Sequence, residues 1–156
     1  GTGTSKQWQQ MEKEMMNYNK NHCTTIEWLK MGIYSLLGNL GSSKASQALF
    51  RQVVRNYNAD YPAFHDVKLD MSNVSVQAGN QTRKEIMAYP LLPRLEDPAF
   101  PITVTFGDND IFGASMHFVI SRYPSAQVFT IKNSGHFPFL HNPEDYFAIL
   151  HQHFGA

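Results

Sequence analysis

The chain has 156 residues, enough for one domain with a real core, and its 13 Lys plus Arg balance 13 Asp plus Glu. That neutrality leaves no basic footprint for nucleic acid or for an anionic membrane surface. A single cysteine, Cys23, excludes an internal disulfide, no Cys/His spacing resembles a zinc site, and the longest apolar runs fall short of a membrane span. The opening GTGTSKQWQQ has neither the basic start nor the apolar stretch of a signal peptide, so the compartment stays open, with cytoplasm the default.

Residues 1 to about 100 read as helices joined by polar loops. SKQWQQMEKEMMNYNK puts Trp8, Met11, Met15 and Tyr18 on one helical face, with Ser5 as N-cap. In TTIEWLKMGIYSLLGNLG, Thr24 and Glu27 have the spacing of a capping box. Ile26, Leu29, Ile33, Leu36 and Leu37 follow at helical spacing, and Gly38 and Gly41 suit the stop. SKASQALFRQVVRNYN predicts a third helix striped by Ala48, Leu49, Val53 and Tyr57. The signal then weakens through ADYPAFHDVKLDMSNVSVQAGN, and QTRKEIMAYPLL suggests one more short helix ended by Pro90.

The pattern changes at the proline-spaced linker YPLLPRLEDPAFP. ITVTF, residues 102–106, predicts a strand that breaks at Gly107, FGASMHFVISRYP a helix ended by Pro124, and AQVFTIKNSGH a second strand. NPEDYFAILHQHF opens a last helix in strong form: Asn142 caps, Pro143 takes the first helical position, and Glu144 and Asp145 meet the positive end of the dipole. This order is α/β, a βαβ unit whose strands should be parallel with a right-handed crossover.

In open α/β sheets chemistry gathers beyond the carboxyl ends of the strands. GDND follows the first strand and NSGH the second, which predicts Asp110 (or Asp108) beside His136. A carboxylate there would fix the ring's tautomer and stabilise the imidazolium it forms on taking a proton. Gly107 and Gly135 are expected to let the backbone turn sharply enough to present these groups. The other histidines (His22, His65, His117, His141, His151, His153) and Cys23 read as structural. Met11, Met15, Met16 and Met31 suit packing better than an acyl pocket.

PITVTFGDNDIF, a helix, and then SGHFPFLHNPEDYFAIL resemble the C-terminal end of an α/β-hydrolase. The resemblance is strongest over residues 95 to 154, and more loosely makes residues 1–94 the helical cap of the proline iminopeptidase-like or esterase-like branch. It implies an incomplete sheet in residues 95–156, namely the last two strands and their helices. By the family's Gly-x-x-Asp pattern, Asp110 is the catalytic acid and His136 the base, with Asp108 the weaker candidate. One departure is His141, where the family often has an acidic residue before Asn-Pro.

The family's Gly-x-Ser-x-Gly elbow, which precedes acid and histidine in the chain, is absent. Ser5, Ser43 and Ser115 have a glycine two residues before, but Gln7, Ala45 and His117 stand two after, and Ser115 follows Asp110. Two parallel strands also need neighbours and covered faces. The expectation is therefore a piece of a longer serine hydrolase of an ester or small amide or peptide bond. GTGTS would leave a sixth strand, and the serine and oxyanion hole would lie outside these residues. Expected partners are a small-molecule substrate and either the missing N-terminal half or a self-association that covers the open sheet. No cofactor, metal, nucleic acid or membrane is expected. The alternative is a non-catalytic binding module without a nucleophile. A nucleotide-binding βαβ domain is disfavoured, because no glycine-rich phosphate loop follows either strand.

Overall fold

The computed structural model describes residues 5–65, 67–89 and 94–155. The expectations for residues 1–4, for the Ser5 side chain and for Pro90 lie outside the described residues. The chain forms two compact units, Met16–Tyr89 on one hand and Gly1–Met15 with Pro90–Ala156 on the other. Helix α1, Ser5–Asn21, runs across the boundary.

In the helical unit, α2 (Thr25–Asn39) starts on the predicted capping box. The Glu27 amide donates to Thr24 Oγ1 at 3.2 Å, and the Thr24 amide donates to Glu27 Oε2 at 2.8 Å. Those Thr24 donors hold the Glu27 carboxyl below its ordinary value. The helix ends in a Schellman turn: Gly41, at φ +95°, donates to Gly38 O, and Ser42 N–H donates to Leu37 O. Ser42 then caps α3 (Ser43–Tyr57) through the Ala45 amide.

Gly38 sits one turn earlier than a stop would need, and close packing accounts for it. A Cβ there would fall 2.8 Å from Val76 Cγ2 and 2.9 Å from Ser46 Oγ. Here α2 meets α3 and the first residue of α4 (Val76–Ala88), and buried Ser46 Oγ accepts the Val76 amide at 3.2 Å. Helix α4 begins at Val76, five residues before the stretch QTRKEIMAYPLL that the sequence marks as helical, because Ser75 caps it through Ala78 N–H. The core of this unit is partly polar. Asn56 donates to Asn19 Oδ1 at 2.9 Å and accepts from Gln52 at 2.8 Å, and both asparagines are buried.

The periodic stripe of α2 does not face this core. Met31 and Gly38 are its buried positions, while Ile26, Leu29, Ile33, Leu36 and Leu37 are all exposed. Among the methionines, Met31 is buried and Met16 exposed.

The second unit is mixed α/β, with a two-stranded parallel sheet. Strand β1 (Thr103–Gly107) pairs with β2 (Gln127–Ile131) in register from Thr103 opposite Gln127 to Gly107 opposite Ile131. Between them, the turn Gly113–Ser115 leads into α5 (Met116–Arg122). After β2 come a one-turn helix, α6 (Pro138–His141), and α7 (Pro143–Phe154), where Asn142 Oδ1 accepts the Asp145 amide as its capping residue type requires. Helix α7 packs on β2, and its His153 Nδ1 lies 2.8 Å from Thr103 Oγ1 at the start of β1.

Gly38→Ala should destabilise the chain by about 1–3 kcal/mol, the cost of overpacking. Gly79→Ala in α4, where a Cβ meets nothing within 4 Å, should instead be neutral or stabilising by up to about 1 kcal/mol. Urea unfolding of both variants checks this, and equal effects would contradict the packing at Gly38.

Candidate active site

The two loops that leave the strands are laced together before any candidate catalytic group is reached. Asp108 N–H donates to Ile131 O at 2.9 Å, and Asn109 N–H to Ser134 O at 3.0 Å. In return the Ser134 amide donates to Asp108 Oδ1 at 3.1 Å. That amide, helped by the Asn133 amide and the Lys132 charge, holds the Asp108 carboxyl below the usual carboxylate range. Asp108 thus spends its side chain on the backbone of the neighbouring loop.

Gly107 is needed for space. Its φ is not positive, but a Cβ on it would collide with the carbonyl oxygens of both Ser134 and Gly135. The tight left-handed position belongs to Asn133, at φ +52°, a residue type that tolerates it.

This lacing brings Asp110 to His136. His136 Nδ1 lies 3.2 Å from Asp110 Oδ1 and 3.4 Å from Oδ2. An ionised carboxylate only accepts, so Nδ1 carries the hydrogen and Nε2 is the basic nitrogen of the neutral ring. Asp110 is fixed in turn by the Phe112 amide, which donates to its Oδ1 at 2.9 Å. The carboxylate side chain is only 9% exposed and the imidazole 33%, so the acid is sheltered while the ring stays reachable. Phe112 meets the ring edge-on at 5.3 Å, and Phe137 flanks it at 5.5 Å.

His141, which the sequence marks as structural, makes a loop-holding bond that the sequence does not reveal. Gly135 N–H donates to its Nδ1 at 3.0 Å, so this imidazole is neutral with its hydrogen on Nε2, the opposite tautomer to His136. Burial pushes its titration below the ordinary value. No sequence signal marks the bond, because it depends on α6 folding the chain back on its own turn.

Ser115 is no nucleophile in this arrangement. It is buried, and both its amide and its hydroxyl donate to the Glu14 carboxylate, at 3.2 and 2.8 Å. Among the described residues no group of three or more His, Cys, Asp or Glu could hold a metal ion, and no helix is long and apolar enough to cross a membrane. Comparison with known proteins finds no matching family model, no matching curated protein and no matching solved structure.

Gly107→Ala should separate the two loops and lower both stability and the His136–Asp110 contact. The expected cost is about 3 kcal/mol, because the clash is with backbone that cannot rotate away. A normal melting curve for this variant would contradict the close approach.

His141 and Asp108 both favour their deprotonated forms in the fold. Their stabilisation is therefore complete above the ordinary values and lost as pH falls, for His141 from about 6.5 downward and for Asp108 from about 4 downward. In His141→Asn, whose Oδ1 can still accept the Gly135 amide, the loss beginning near pH 6.5 should disappear while the more acidic one remains. Urea titrations across pH read this directly, and an unchanged profile would sink the role given to His141.

Proposed function

We propose that Asp110 and His136 are the acid and base of a serine hydrolase of the α/β-hydrolase fold, acting on an ester or a small amide or peptide bond. The nucleophilic serine and the oxyanion donors belong, in this proposal, to polypeptide outside these 156 residues. The observation that carries it is the 3.2 Å bond between a sheltered carboxylate and a reachable imidazole on loops leaving neighbouring parallel strands. A turn aspartate or a surface histidine alone would support nothing of the kind.

The chemistry follows from the tautomer. With Nδ1–H held by Asp110, Nε2 takes the proton as the serine oxygen attacks the carbonyl, and Asp110 stabilises the imidazolium that results. The same proton passes from Nε2 to the leaving alkoxide or amine as the acyl-enzyme forms. Water then repeats the sequence to release the acid. Residues 1–94 correspond in this proposal to the helical cap.

This chain alone should not turn over p-nitrophenyl esters. Together with the serine-bearing polypeptide it should, and His136→Ala should then lower kcat by several orders of magnitude. Asp110→Asn, which disturbs the ring's tautomer and orientation, should cost about 10⁴-fold. A fluorophosphonate probe should label the complementing serine only when His136 is present. Labelling of the isolated chain would place the nucleophile within it. Turnover indifferent to His136→Ala would take this chain out of the chemistry and leave it a binding module beside the serine-bearing polypeptide. If Asp108→Asn were the damaging change and Asp110→Asn silent, the acid would be misassigned.

A further inference from the structure

The largest anomaly outside the Asp110–His136 pair is the outward face of α2. Ile26, Leu29, Ile33, Leu36 and Leu37, and Leu40 at the C-cap just past the helix, are exposed by 66, 63, 56, 62, 43 and 75% of their surface. Isolated exposed aliphatics are ordinary, but a contiguous stripe along one helix is a binding surface.

Its spacing says what kind. Ile26, Ile33 and Leu40 are seven apart, and Leu29 and Leu36 fall three after the first two, so they occupy the a and d positions of a heptad. Met31 and Gly38, the buried residues of α2, fall at f, opposite that seam. The helix therefore grips its own unit with one side and presents a heptad seam on the other. Isoleucine at a with leucine at d is the combination that favours two parallel strands.

We propose that this face is a self-association surface, on which α2 of a second copy packs in parallel register. In that pairing the e-position Leu37 lies against g-position Gly32 of the second copy, where a Cβ would meet nothing within 4 Å, so the leucine has room to settle. The e-position Lys30 faces the second copy's Thr25, and no like charges are opposed. Complete covering of the six side chains would remove at most on the order of 600 Å² per copy, so a two-fold pair reaches no more than about the 1,200 Å² at which specific interfaces begin. Two heptads make a short seam, so the pairing is a local helix contact with moderate affinity. It is independent of the activity proposed above.

The test is sedimentation of the full 156-residue chain from low-micromolar to submillimolar concentration. The expected result is a reversible shift from 17.8 kDa to twice that mass. Ile33→Asp should weaken the dimer by about a hundredfold while leaving helicity unchanged, because Ile33 is already more than half exposed. In a Cys23→Ser background, Ile33→Cys should form a disulfide-linked dimer on oxidation, and Ser35→Cys, off the seam, should not. A chain that is monomeric throughout overturns the proposal. So does a dimer indifferent to Ile33→Asp, which would be using another surface such as a sheet edge. An Asp-sensitive dimer that fails to cross-link through Ile33→Cys overturns the parallel register.

Discussion

Everything at the candidate site depends on how closely the backbone after β1 approaches the backbone after β2. The carbonyls of Ser134 and Gly135 occupy the volume that any side chain at position 107 would need. With that approach granted, the Ser134 amide reaches Asp108 and Ser134 O accepts from Asn109. Asp110, two residues further on, is then carried to within hydrogen-bonding distance of His136, two residues beyond Ser134. The pairing of the catalytic candidates is thus a consequence of backbone contact, and the roles of the two aspartates separate on the same ground. One holds the loops together and the other meets the ring.

The parts legible in the sequence are those decided locally. Thr24, Glu27, Asn142 and Pro143 act within one turn of themselves, so their capping roles survive folding unchanged. The two strands lie within a residue of where β-branching puts them, and the Gly-Asp-Asn-Asp and Ser-Gly-His turns fall at their carboxyl ends as the βαβ order requires. Mixed α/β architecture and the proximity of Asp110 to His136 follow from that order.

What escaped depends on tertiary contact. The first turn of α4 looks like loop, since Gly79 and Asn80 dilute its helical signal, yet Val76 is anchored by Ser46 thirty residues away in the chain. Gly38 resembles a helix stop, although its real constraint is the neighbouring helix. Helix α6 is a single turn, too short for periodicity to register, and the Gly135–His141 bond exists only because that turn forms. The stripe on α2 shows the limit of periodicity most directly. It identified an apolar face correctly and could not say that the face points away from the unit's own core.

Among the described residues the sheet stops at two strands, and the proposed site lies at the carboxyl ends of those same strands. Parallel strands are ordinarily paired on both sides and covered on both faces, but β2 leaves Gln127, Val128 and Thr130 exposed, and the sheet ends after two strands among the described residues. An Asp–His pair, for its part, can orient and relay a proton but has nothing of its own to deprotonate. Any further parallel strand joining either edge would bring its carboxyl end, and the loop that leaves it, to the rim already occupied by Asp110 and His136. The contact that would satisfy the exposed strand edge is therefore also the contact that could deliver a nucleophile. Under the function proposed above, stability and chemistry would be completed by one event, and the proposed activity would appear only on assembly.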